Sequence, residues 1–128
     1  MHIFFAISAY SKEITIPAEF LGDWVRIKDS CESKIRLRVA PNTVTLLNGI
    51  DSELFGDLDL CNTCEGGAQY NGEVVWLSPE FNSGSSSPFT IRFNTNEKKG
   101  VAVIEIKRSR IMKRYPVHNK MLRKCSIR

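Results

Sequence analysis

The sequence predicts an all-β fold, an antiparallel up-and-down β-barrel of about eight strands with a short C-terminal helical tail. Three observations carry this expectation. Apolar and polar residues alternate with a period of two along most of the chain, turn dipeptides separate the alternating runs, and the connections between runs are short. Sequential antiparallel strands that bury one face must pack on a second sheet or close on themselves, which gives a sandwich or a barrel. The 128 residues, 42% apolar and 25% charged, suit one domain with one core, and exclude collagen-like, coiled-coil and wholly disordered chains.

Strands are expected at about 22–28, 34–40, 43–48, 53–60, 67–70, 73–78, 89–95 and 100–107. In Lys34-Ile35-Arg36-Leu37-Arg38-Val39, three apolar residues face one way and three cations the other. Phe89, Ile91 and Phe93 repeat that logic, as do Ala102, Ile104 and Ile106. In 53–60 the reading puts Leu54, Gly56, Leu58 and Leu60 on one face and Phe55, Asp57 and Asp59 on the other. Asn48-Gly49 and Tyr70-Asn71-Gly72-Glu73 carry the dipeptides of tight hairpins, and Asn96 to Gly100 reads as another turn. The Ser-rich stretch 82–88 reads as a loop within the domain, since strands of the same kind continue beyond it. After Lys107, Val117, Met121 and Cys125 recur at i, i+4 and i+8, the spacing of a short helix lying on the barrel.

The charge is unevenly laid out. Residues 1–97 hold 7 basic and 13 acidic side chains, net −6, and residues 98–128 hold 11 basic and 1 acidic, net +10. The basic tail, 108–128, offers a patch for an anionic partner through Arg110, Lys113, Arg114, Lys120, Arg123 and Lys124, although it also offsets its own acidic barrel. Tyr115 is the tail's only aromatic, so there is no stacking platform and nucleic acid is disfavoured. No apolar run approaches the ~18 residues of a membrane-spanning helix.

The domain is expected over 17–128, with 1–16 an apolar arm or the remnant of a signal peptide in which Ala6-Ile7-Ser8 could serve as the cleavage site. Four cysteines, Cys31, Cys61, Cys64 and Cys125, suit one or two disulfides in a secreted or periplasmic protein. Only Cys61-Asn62-Thr63-Cys64 has zinc-knuckle spacing, and Glu65-Gly66-Gly67 after it opposes the helix that a redox motif needs, so no metal or cofactor is expected.

Phe20-Leu21-Gly22-Asp23-Trp24 fits the pattern Phe-x-Gly-x-Trp, which resembles the opening signature of the calycins, the lipocalin and fatty-acid-binding barrels. The resemblance implies that Gly22 lets the chain turn at the closed end and that Trp24 caps the floor under an arginine from the last strand. Arg108 has the matching parity. It also implies a tail-to-barrel disulfide, Cys125 to Cys61 or Cys64 with Cys31 at the open end, if 53–60 crosses the barrel as a full strand. If that segment does not cross, all four cysteines collect at one end, two disulfides become possible and Arg108 moves away from Trp24. Similar openings occur in small secreted bacterial barrels that inhibit metalloproteases. No second lipocalin signature can be placed.

Catalytic chemistry has little to draw on. The histidines are His2 and His118, the latter reading as solvated; Asp57 and Asp59 face water, and Gly66-Gly67 lacks the Lys and Ser or Thr of a phosphate loop. The chain is therefore expected to be a non-enzyme. Two functions suit it: a surface-acting interaction or inhibitor module with a protein or envelope partner, and a carrier of a small apolar or amphipathic ligand in the barrel cup. Bulky inward residues such as Phe89, Phe93 and Ile104 favour the first, because in a small barrel they fill the lumen.

Overall fold

The alternating runs form strands close to where the sequence places them. These are β1 (Gly22–Arg26), β2 (Ile35–Val39), β3 (Val44–Asn48), β4 (Asp51–Phe55), β5 (Leu58–Cys61), β6 (Val75–Pro79), β7 (Phe89–Phe93) and β8 (Val101–Ile106), with a further strand β9 (Met121–Lys124). The structure, a computed structural model, describes residues 14–61, 75–79 and 87–125. The strand expected at 67–70, the Tyr70 to Glu73 hairpin, the Ala6-Ile7-Ser8 motif and residues 82–86 of the Ser-rich stretch lie outside the described residues.

The named strands all pair antiparallel, in the order β4-β3-β2-β1-β9-β8-β7-β6-β5, and the sheet curls into a nearly closed barrel. Strand direction explains the closure. Counting outward from β1 through each antiparallel neighbour, β4 and β5 run the same way, and only Gly56 and Asp57 separate them. They form one bent stave whose first half pairs with β3 and whose second half pairs with β6.

The bend corrects the parity expected for 53–60. Asp57 takes a positive φ of 49°, and the corner shifts the alternation by one residue. Phe55 then faces inward, edge-on to Phe89 at 4.8 Å between centroids, Leu54 is 65% exposed, and Leu58 faces inward again.

Because β4 and β5 make one stave and β5 pairs directly with β6, β1 and β8 run in the same direction. They cannot pair as antiparallel neighbours, and β9 enters between them: Trp24 pairs with Lys124, and Val101 with Arg123. The tail is therefore partly strand. Its helix, α1, is Ser109–Arg114 and precedes the Val117, Met121 and Cys125 series read as helical. That series is also compatible with a period of two, since i+4 is an even step; Leu122 points inward, wholly buried, and Met121 is 44% exposed.

Both ends of the barrel are covered. At one end the 3₁₀ turn Ala18–Phe20 stacks Phe20 on Phe93 at 4.4 Å, and the buried Trp24 Nε1–H donates to the Phe20 carbonyl at 3.0 Å. Ile16, in the stretch expected to be an arm, is buried in the same core. At the other end α1 and the turn after it bury Ile111, Tyr115 and Val117. Between the ends Leu37, Leu46, Leu77, Ile91 and Ile104 are inaccessible to solvent.

A further layer lies outside the wall. Val25 points away from the lumen yet is wholly buried, because the β1–β2 connection folds back over it and Cys31 is bonded to Cys125 beyond the end of β9. Arg123 holds the same connection by donating from Nη2 to the Asp29 carbonyl at 2.7 Å, and its Nη1 lies 3.6 Å from the Cys31 sulfur. The expected Cys125 bond to Cys61 or Cys64 does not form. The connection folds along the wall toward the strand end where Cys125 lies, while Cys61 sits on β5, four strands from β9 in the sheet order. Cys61 is itself disulfide-bonded, and Cys64 lies outside the described residues.

Two measurements follow from the packing. Cys31 and Cys125 are 94 residues apart, so a Cys31→Ser/Cys125→Ser variant should lose about 3 to 5 kcal/mol in urea unfolding. Trypsin should then cut at Lys28 or Lys34 in the released connection while the wild type resists. The Tyr115 hydroxyl is buried without a hydrogen-bond partner among the described residues. Tyr115→Phe should therefore leave stability unchanged or raise it by about 1 kcal/mol, read from the same unfolding curves.

Candidate functional site

The helical end of the barrel brings together the groups most able to meet a partner. Asn48-Gly49-Ile50-Asp51 closes the β3–β4 hairpin with a two-residue loop, Asn48 pairing with Asp51. Gly49 takes a φ of +70° while Ile50 keeps a negative one, the pattern of a II′ hairpin turn with glycine at its first central position. The tip is tied on both sides: Asn48 Nδ2 donates to the Arg114 carbonyl at the end of α1 at 2.9 Å, and the Gly49 N–H to the Lys34 carbonyl at 3.3 Å. Ile50 stands at the apex, 100% exposed.

A groove lies on each side of this tip. One, of about 630 Å³, is lined by Asn48, Asp51, Ser109, Arg110, Lys113 and Arg114. The other, of about 450 Å³, runs past Glu32, Lys34, Arg36, Arg38, Leu47 and Ile50. Each wall carries three cations and one carboxylate. Arg110 reaches Glu53 on β4 at 3.1 Å, and that carboxylate, with the Tyr115 side chain nearby, holds its guanidinium more firmly protonated than usual. Arg38 and Arg36 converge on Asp23, at 2.8 and 2.7 Å, and Arg38 above all holds the Asp23 carboxyl below its ordinary range, against an opposing desolvation. Lys34, Lys113 and the Arg114 guanidinium have no carboxylate partner among the described residues.

The six cations expected to form one patch are divided. Arg110, Lys113 and Arg114 meet in the first groove, and Lys120 is exposed on the turn leading into β9. Arg123 is committed to the Asp29 carbonyl, and Lys124 Nζ donates to the Glu19 carbonyl at 3.0 Å at the far end of the barrel. No family model, curated protein or solved structure matches this chain.

The signature residues are likewise divided. Phe20, Gly22 and Trp24 form the floor at the 3₁₀ end. Gly22, at φ +127°, leaves room for the Lys124 stem, which a Cβ there would approach to 3.2 Å. Arg108 does not join them. Trp24 is level with the start of β8, so Arg108, beyond that strand's end, lies about 25 Å along the wall. A cation–π pair among the described residues is Arg92 over Trp76, 5.5 Å from the ring centroid.

Among the described residues no group of three or more His, Cys, Asp or Glu side chains is placed to hold a metal ion. His118, read as solvated, is half-buried, and its Nδ1 accepts the Ile106 N–H at 2.9 Å, which occupies the lone pair a general base would use. The sequence reading missed Lys34 and the Ile50 tip. An isoleucine directly after Asn-Gly, where turns take polar residues, was the available signal.

The Asp23 cluster gives a pH test. With its carboxyl pKa lowered by folding, Asp23 contributes stability that is complete above the ordinary aspartate value of about 3.9 and is lost as pH falls through the lower folded value. Asp23→Asn should be less stable than wild type at pH 7, and the two should converge as acidification carries Asp23 through its lowered folded value, read from urea midpoints in an acid series.

Proposed function

We propose that this chain is a non-catalytic binding module of an oxidising compartment, secreted or periplasmic, that acts through its outer surface as an interaction partner or inhibitor of another protein. In this reading it is a calycin-like barrel whose cup has been filled. The observation that carries it is the interior: Trp24, Tyr115, Phe20, Phe89 and Phe93 head a set of large side chains under 2% exposed, with a 3₁₀ turn over one end and α1 over the other. Small barrels filled in this way have no room for a carried ligand, so recognition falls to their loops and faces.

The cysteines support the compartment. Cys31–Cys125 and the disulfide at Cys61 are bonds that a reducing cytosol would not maintain. No helix among the described residues is long and apolar enough to cross a membrane.

Native mass spectrometry of protein purified from its host without detergent should return the mass of the oxidised polypeptide alone. A small apolar molecule co-purifying near one equivalent would overturn the surface reading and restore the carrier.

A further inference from the structure

We infer that the β3–β4 hairpin tip is the anchor of a protein–protein interface in which Ile50 enters an apolar pocket of the partner and the two flanking grooves receive acidic side chains from the pocket's rim. This rests on the reading that the protein acts through its surface, and it commits that reading to one face and one partner chemistry.

The placement of Ile50 is the first argument. A β-branched apolar side chain at the second central position of a two-residue turn gains nothing from folding when it is 100% exposed, and turns ordinarily place polar residues there. The apolar surface continues beyond it. On the outer face of β4 Leu54 is 65% exposed, and Leu47 of β3, opposite Ser52 on that face, lines the groove beside Ile50.

Rigidity is the second. The tip is held to Lys34 on one side and to the end of α1 on the other, so little freedom remains to be lost on binding. A preordered apolar anchor ringed by polar groups is the usual layout of an interface hot spot.

Charge selects the partner. Lys34 in one groove and Lys113 and Arg114 in the other have no carboxylate partner among the described residues, and each groove carries more cations than carboxylates, Glu32 and Asp51 included. A surface rich in Asp and Glu is complementary to both. A sulfated glycan or a phosphate backbone would use the cations but has nothing to bury Ile50, which favours a protein.

The test uses the full-length, disulfide-intact protein and a phage-displayed library of random constrained peptides. Enriched sequences should carry Asp or Glu around an aliphatic or aromatic residue. For a synthetic copy of the strongest binder, titration calorimetry should show Ile50→Ser weakening binding about tenfold or more, Lys113→Glu/Arg114→Glu and Lys34→Glu each weakening it, and Met121→Ser, an exposed apolar site elsewhere on the barrel, leaving it unchanged. Ile50 makes no buried contact, so circular dichroism and the urea midpoint of Ile50→Ser should match wild type. Peptides without acidic excess, affinity unmoved by Ile50→Ser, or a heparin hexasaccharide that binds while every peptide fails would each overturn the assignment. Peptide binding mapped by amide shifts to another face would overturn the hairpin while leaving the surface reading standing. A ligand in the cup would remove that reading itself.

Discussion

The fold depends on a constraint of parity. A sheet whose neighbours are all antiparallel can close only with an even number of staves, because the first and last must run in opposite directions to pair. Here β4 and β5 count as one, which leaves seven staves from β1 to β8 and sets those two strands parallel. The chain meets the constraint by returning a short strand, β9, into the gap. Much of the remaining structure follows from that insertion. The helix α1 carries the chain across one end to reach β9, Cys125 arrives beside β1 where the folded-back connection can bond it, and Lys124 comes to lie against Gly22 at the floor.

On the reading proposed above, filling and covering the barrel shifts the burden of recognition outward. The two ends are closed differently: the 3₁₀ turn stacks rings and spends a tryptophan N–H on a main-chain carbonyl, whereas α1 covers its end with Ile111 and presents its cations to solvent. The charge asymmetry of the sequence thereby acquires a location. Part of the basic excess is consumed by the barrel, as Arg123 and Lys124 show, and part remains at the helical end around the hairpin tip.

Much of the fold was legible because period-two alternation is a local signal. Ile35, Leu37 and Val39, Phe89, Ile91 and Phe93, and Ala102, Ile104 and Ile106 share the faces their spacing gives them. Asp57 was not legible, since nothing short-range marks an aspartate that will take a positive φ, and one such residue reversed the face assigned to Leu54 and Phe55. Met121 to Lys124 failed for another reason. Val117, Met121 and Cys125 fit both a helix and a strand, and only the direction of β8 relative to β1 decides between them. The site was half visible: Arg110, Lys113 and Arg114 were named for their charge, but Lys34 and Ile50 join them through tertiary contacts of Asn48 and Gly49 that no local pattern encodes.

The placement of β9 also has a bearing on synthesis. Every other strand emerges from the ribosome or translocon before it, and until it arrives β1 and β8 present two unpaired, parallel edges with no complement in the nascent chain. The barrel is thus a fold that its own N-terminal portion cannot complete. The Cys31–Cys125 bond, joining residues 94 positions apart, is a covalent record that the last strand has docked. Cys31 is made 94 residues before its partner, so this bond can form only after every described strand has been synthesised.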